Sequence, residues 1–198
     1  MSRLHGLVLA GGQSTRMQRD KAALSYTGRP QLLVTWDLVA PRVARTFVSV
    51  RAEQRAEALR ARLPQLIDVT GVGGPLAGIL AALASAPDAA WLVVACDLPL
   101  LDGATLDALL AGRDSTRLAT AYRSSHDGLP EPLCAIWEPA SRTALEAWVT
   151  AGEHCPRRFL IRHDVALLSL ARPDALDNAN TPAEHDAARR ALAAGGAG

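Results

Sequence analysis

The residues with the plainest chemical use stand close together near the start of the chain. Gly6 to Ala10 reads as an apolar strand, Gly11 and Gly12 follow, and Arg16, Arg19, Asp20 and Lys21 come soon after. Adjacent glycines behind a strand let backbone N–H groups converge on an anion with no Cβ in the way. Arg16 can fork onto two phosphate oxygens, and Lys21 acts as a mobile point charge. A nucleoside triphosphate suits such a loop, although a tight turn with a solvated basic face also accounts for these residues. The loop is not of the Walker type, because Lys21 is followed by Ala22 and Gly12 by Gln13-Ser14-Thr15-Arg16. It is not a dinucleotide fingerprint either, since Gly11 and Gly12 are adjacent and Thr15 stands where the last glycine would fall.

A carboxylate forms the second candidate. The run from Ala90 to Cys96 is continuously apolar, as in a central parallel strand buried on both faces, and it ends at Asp97-Leu98-Pro99. Ligands of open α/β sheets bind beyond the carboxyl ends of the strands, which places Asp97 where a ligand would lie. Mg²⁺ is held by one or two carboxylates together with substrate phosphate oxygens, so Asp97 alone can be most of the protein's contribution. A turn-stabilising role before Pro99 is the structural alternative. His126 has no metal partner at ligand spacing and reads as solvated or loosely bonded.

The elements that must position these groups alternate. Strands are expected over 6–10, 46–50, 66–69, 90–96, 117–122, 132–137 and 165–170, with Asp68 near the end of the third. Helices are predicted over 31–39, 75–85, 102–111 and 140–150, from Pro156 onward, and after a capping box at Thr181, Pro182 and Glu184. The segment 52–63 reads as a charged helix with its Arg and Glu residues in solvent, and 124–132 as a loop. This order predicts an α/β fold, a three-layer Rossmann-like arrangement with a mostly parallel sheet and helices on both faces.

At 198 residues the chain suits one domain, expected over 1–190 with a flexible tail at 191–198. Its 21 basic residues are nearly balanced by 20 acidic ones, which argues against a nucleic-acid footprint. Cys96, Cys134 and Cys155 are an odd number with no C-x-x-C spacing, so reduced thiols are expected. No apolar run has the length of a membrane span, and a cytoplasmic location is the expectation.

Leu9-Ala10-Gly11-Gly12-Gln13-Ser14-Thr15-Arg16-Met17 followed by Asp20-Lys21 resembles the signature of nucleotidyltransferases, and most of all that of the molybdenum cofactor guanylyltransferases. Gly74-Pro75-Leu76-Ala77-Gly78, Cys96-Asp97-Leu98-Pro99 and Asn178-Ala179-Asn180-Thr181-Pro182 are similar to further motifs of that family, in the same order. Gln18, Ala95 and Glu131 depart from it, standing where the family commonly has Gly, Pro and His. The resemblance implies transfer of GMP from GTP to the terminal phosphate of Mo-molybdopterin, with Mg²⁺ on Asp97. It implies Leu9, Ala10, Gly11, Gly12, Lys21, Asp68 and Asp97 at the nucleotide, Arg16, Lys21 and Asp97 in catalysis, and Asn178 and Asn180 at the acceptor. A cofactor carrier or a molybdoenzyme apoprotein is the protein partner it implies, and Arg157 and Arg158 fall near basic residues of the family. Relatives that use CTP or a sugar phosphate, and a GTP-binding partner protein with weak catalysis, are the alternatives. Gly12 favours the guanylyl form.

Overall fold

The computed structural model describes residues 2–10, 21–179 and 181–195. In chain order the elements are β1 (Leu4–Leu9), α1 (Gln31–Val39), β2 (Thr46–Val50), β3 (Gln65–Ile67), α2 (Pro75–Ser85), β4 (Ala90–Ala95), α3 (Gly103–Ala111), β5 (Ala119–Arg123), β6 (Pro130–Trp137), α4 (Ser141–Thr150), α5 (Pro156–Arg162), β7 (Ala166–Ser169) and α6 (Pro182–Gly195). The strands form one sheet of seven in the order β3-β2-β1-β4-β6-β5-β7. β3, β2, β1 and β4 run parallel, β6 is antiparallel to both its neighbours, and β7 is parallel to β5. The expected mostly parallel α/β sheet is therefore present.

Side-chain alternation along β4 explains the layers. Leu92 and Val94 point to one face, where Leu32 and Val39 of α1 and Leu106 and Leu109 of α3 complete a buried cluster. Trp91 and Val93 point to the other, against Leu76, Ile79 and Leu83 of α2, Leu145 of α4 and Phe159 of α5. Every residue of β4 is buried, as a strand with helices over both its faces must be. Helix α2 starts at Pro75, where the missing N–H is no loss, and α3 is capped by Asp102, whose carboxylate accepts from Thr105 N–H at 2.8 Å. The box at α6 forms as expected, with Thr181 N–H donating to Glu184 and Glu184 N–H to the Thr181 hydroxyl.

Two segments differ from the sequence reading. The charged stretch 52–63 is not an α-helix but two isolated 3₁₀ turns, Ala52–Gln54 and Arg60–Arg62. Twelve residues have marginal helicity of their own, and tertiary bonds decide the outcome. Gln54 turns inward to accept from Arg51 N–H, and Arg60 is fully buried instead of solvated. β6 begins at Pro130, inside the expected loop, and its prolines are tolerated because pairing with β4 starts only at Cys134. Its register against β5 jumps between Ala121↔Ala135 and Tyr122↔Glu131, a bulge that takes Pro132, Leu133 and Cys134 out of the β5 ladder.

Gly6 marks where β1 and α1 meet most closely, since a Cβ there would lie 2.5 Å from Val39 Cγ1. Gly6→Ala is expected to lower stability by about 1–3 kcal/mol through overpacking, read as an earlier urea midpoint. An unchanged midpoint would mean that the β1–α1 contact has slack.

Candidate active site

The sheet order reverses at β1. The chain leaves it by way of α1 to reach β2 on one side, and later returns through α2 to β4 on the other. Crossovers that diverge in this way leave a crevice at the carboxyl ends of the two strands. Leu9 stands opposite Ala95 there, and Cys96 N–H donates to Leu9 C=O at 3.1 Å. Ala10 follows β1 and Asp97 follows β4, so the two strands end side by side.

Two cavities open at this edge. The first, of about 440 Å³, runs from Cys96 and Asp97 past Leu9 and Ala10 to Ser49, Arg51 and Asp68, and is closed by the 69–75 connection. The second, of about 720 Å³, lies beyond Leu98 and Pro99 and is lined by Asn178, Ala179, His126, Glu131 and Arg157 among others. Leu133, displaced by the β6 bulge, borders both. Ala179 N–H donates to the Asp97 carbonyl at 3.3 Å, so the asparagine segment is tied to the strand end that carries the carboxylate.

Four of the expected nucleotide residues, Leu9, Ala10, Asp68 and Asp97, therefore share the first cavity, while Asn178 lies in the second. Lys21 opens a 3₁₀ turn, Lys21–Ala23. Gly11, Gly12, Arg16, Gln18 and Asn180 lie outside the described residues. His126 is 71% exposed and bonds Asp177 at 2.7 Å. The two candidate arginines differ: Arg157 lines the second cavity and pairs with Asp127 and Glu131, both at 2.8 Å, whereas Arg158 pairs with Glu153 on the surface.

The electrostatics set Asp68 and Asp97 apart. Burial raises the Asp68 carboxyl above the ordinary range, against the opposing effects of the Ser49 hydroxyl that donates to it and the nearby Arg51 guanidinium. Asp97 instead makes itself felt on Tyr26, whose phenol is pushed up to about 12 by burial and then by the Asp97 charge. Tyr26 accordingly stays protonated beside the carboxylate. Asp97 presents hard oxygen donors to a cavity sized for a substrate, and among the described residues no group of three or more His, Cys, Asp and Glu could hold a metal. That donor set fits Mg²⁺, which completes its shell with water and phosphate oxygens, and does not fit a metal caged by protein alone.

Ser49, Arg51, Tyr26 and Arg60 belong to none of the motifs in the sequence. A serine inside the apolar strand Thr46-Phe47-Val48-Ser49-Val50 was a usable signal, because a buried hydroxyl needs a partner. Gly78 explains why that partner can be reached: a Cβ there would collide with the Ser49 side chain, so the small residue in Gly74-Pro75-Leu76-Ala77-Gly78 keeps the hydroxyl in place. Ser49→Ala removes a bond that favours the Asp68 anion, and the Asp68 titration, followed by carboxyl carbon NMR, is expected to move to higher pH. A shift to lower pH, or none, would contradict the assignment of that bond.

Comparison with known proteins bears on this geometry. Residues 6–167 match the family model described as MobA-like NTP transferase domain. The chain is 37% identical over 187 residues to a molybdenum cofactor guanylyltransferase of Cereibacter sphaeroides, covering 91% of this chain and 92% of that one. It is 36% identical over 185 residues to the molybdenum cofactor biosynthesis bifunctional protein of a Synechocystis strain, of whose length it spans only 52%. Among solved structures it is similar to molybdopterin-guanine dinucleotide biosynthesis protein A from Archaeoglobus fulgidus, with a TM-score of 0.80, 24% identity and coverage of 96% and 99%. A Mycobacterium tuberculosis protein, Rv0371c, solved in complex with manganese, shares the fold at a TM-score of 0.64 and 20% identity, with coverage of 96% and 98%. With most of its length matched by the family model and relatives above 30% identity over nine-tenths of it, the chain belongs to the MobA-like NTP transferases.

Proposed function

We infer that the chain transfers GMP from GTP to the terminal phosphate of Mo-molybdopterin, forming the guanine dinucleotide cofactor and releasing pyrophosphate. The observation that carries this reading is the pair of cavities bordered in common by Leu133, the first lined by the end of β1 with Asp97 and the second by the asparagine segment, whose Ala179 N–H donates to the Asp97 carbonyl. A two-substrate transfer needs a donor and an acceptor to face each other across the reacting phosphorus, and this arrangement offers both places. The activities named for the full-length relatives support guanine as the base and the molybdenum cofactor as the acceptor.

The chemistry asks little of general acid–base groups. An acceptor phosphate oxygen attacks the α-phosphorus, a new P–O bond forms, and the bond to the bridging α–β oxygen breaks with its electrons leaving on pyrophosphate. Because the nucleophile is already an anion, the protein's work is alignment and charge stabilisation. Asp97 would hold Mg²⁺, which supplies charge neutralisation at the phosphate oxygens when bound. Arg16 and Lys21 would act on the same phosphates as cations, and Leu9, Ala10, Gly11 and Gly12 would offer backbone groups to the nucleotide. Asp68 would face the nucleoside, and Asn178 and Asn180 would orient the acceptor. No described helix is long and apolar enough to cross a membrane, which is consistent with the cytoplasmic setting proposed for the reaction. A cofactor carrier or recipient apoenzyme is the protein partner proposed.

Pyrophosphate release measured with Mg²⁺ and Mo-molybdopterin is expected with GTP and not with CTP or ATP. Asp97→Ala should lose more than a hundredfold in kcat while keeping its fold by circular dichroism, on the order expected for removing a principal charge-stabilising group. Release with CTP alone would change the product, and an active Asp97→Ala would remove that residue from the metal role.

A further inference from the structure

Arg60 is a buried charge that the transfer reaction, as described, does not use. It sits in the connection between β2 and β3, is 0% exposed, and reaches across 50 residues of sequence to donate from Nη2 to the Ala10 carbonyl at 2.5 Å. Its Nη1 pairs with Glu57, whose own side chain is 44% exposed. Ala10 is the last described residue before Gly11 and Gly12, is itself buried, and lines the first cavity.

A carbonyl at a strand end does not call for a guanidinium. A backbone N–H, a hydroxyl or a water would satisfy it without the desolvation that a buried cation suffers. What an arginine adds is a rigid fork that reaches two acceptors at once and a permanent positive charge in a region of low dielectric. Both additions fall at the end of β1, where Ala10 lines the first cavity. The same constraint explains why 52–63 does not form a continuous helix: the chain there is shaped to send one arginine inward.

We propose that Arg60 is a positioning residue for the nucleotide, clamping the Ala10 carbonyl so that the backbone entering Gly11 and Gly12 is held fast, and setting a buried positive charge beside the polyphosphate. It acts through Ala10 and touches no reacting atom. The proposal rests on the GTP-dependent reading above, and it extends the nucleotide grip beyond the glycine loop to a residue of the β2–β3 connection. Ala10, through which Arg60 acts, lines the first cavity and not the second.

The test is calorimetric binding of GTP with Mg²⁺, followed by KM measurements for GTP and for Mo-molybdopterin. Arg60→Met is expected to weaken GTP binding about tenfold, as loss of a buried charge-assisted bond would, with the KM for Mo-molybdopterin unchanged. Arg60→Lys keeps the charge but not the fork, is expected to fold, and should fall between wild type and Arg60→Met. It decides the matter if Arg60→Met does not fold. Wild-type GTP affinity in the Lys variant, or an equal rise in both KM values, overturns the proposal. A wild-type protein that binds GTP but releases no pyrophosphate would fail the parent reading alone, since the binding comparison still reports on Arg60.

Discussion

The site depends on the pairing of β1 with β4. Leu4 to Leu9 lie in register with Ala90 to Ala95, and the two strands end together at the point where the crossovers part. The end of β1 and Asp97 are far apart in sequence, and it is this ladder that makes them neighbours. Its security comes from burial on both faces: Val8 and Val94 lie in one cluster, Leu7 and Val93 in the other. A slip of one residue would exchange the two faces and shift the carboxylate relative to the end of β1, so the apolar pattern of the strands also fixes where Asp97 stands.

Around that ladder the ionisable groups are sorted by depth. Asp68, at the end of β3, is restrained by Ser49 and Arg51 against the tendency of burial to neutralise it. Asp97 shares its surroundings with a phenol that stays neutral, and the asparagine segment is attached to its backbone by Ala179. The cations differ in the same way. Arg157 is occupied by Asp127 and Glu131 at the second cavity, while Arg60 is turned to the end of β1. Asp68 is held at the first cavity by the Ser49 hydroxyl, Arg60 is held by the Ala10 carbonyl and by Glu57, and Arg157 at the second cavity is held by ion pairs that are partly exposed.

Much of this was legible in the sequence. The boundaries of α1, β2 and α2 follow from apolar spacing and from Pro41 and Pro75, and Asp97 stands out because it ends the longest apolar run. What could not be read was tertiary. Arg60 looks no different from Arg55 or Arg62 along the chain, and only the position of Ala10 in space turns it inward. The β6 bulge is similarly silent, because Pro130 and Pro132 argue against a strand until the late start of the β4 pairing is known. Ser49 was visible as a hydroxyl among apolar residues, yet its partner belongs to the next strand.

We propose that a divalent ion binds on Asp97 in the first cavity when the nucleotide is present. Crystals grown with GTP and Mn²⁺, with anomalous scattering recorded at the manganese edge, test it most directly. The account predicts a peak bonded to an Asp97 carboxylate oxygen and to phosphate oxygens of a nucleotide whose nucleoside lies toward Asp68. A peak that avoids Asp97 while GTP occupies the first cavity would contradict it.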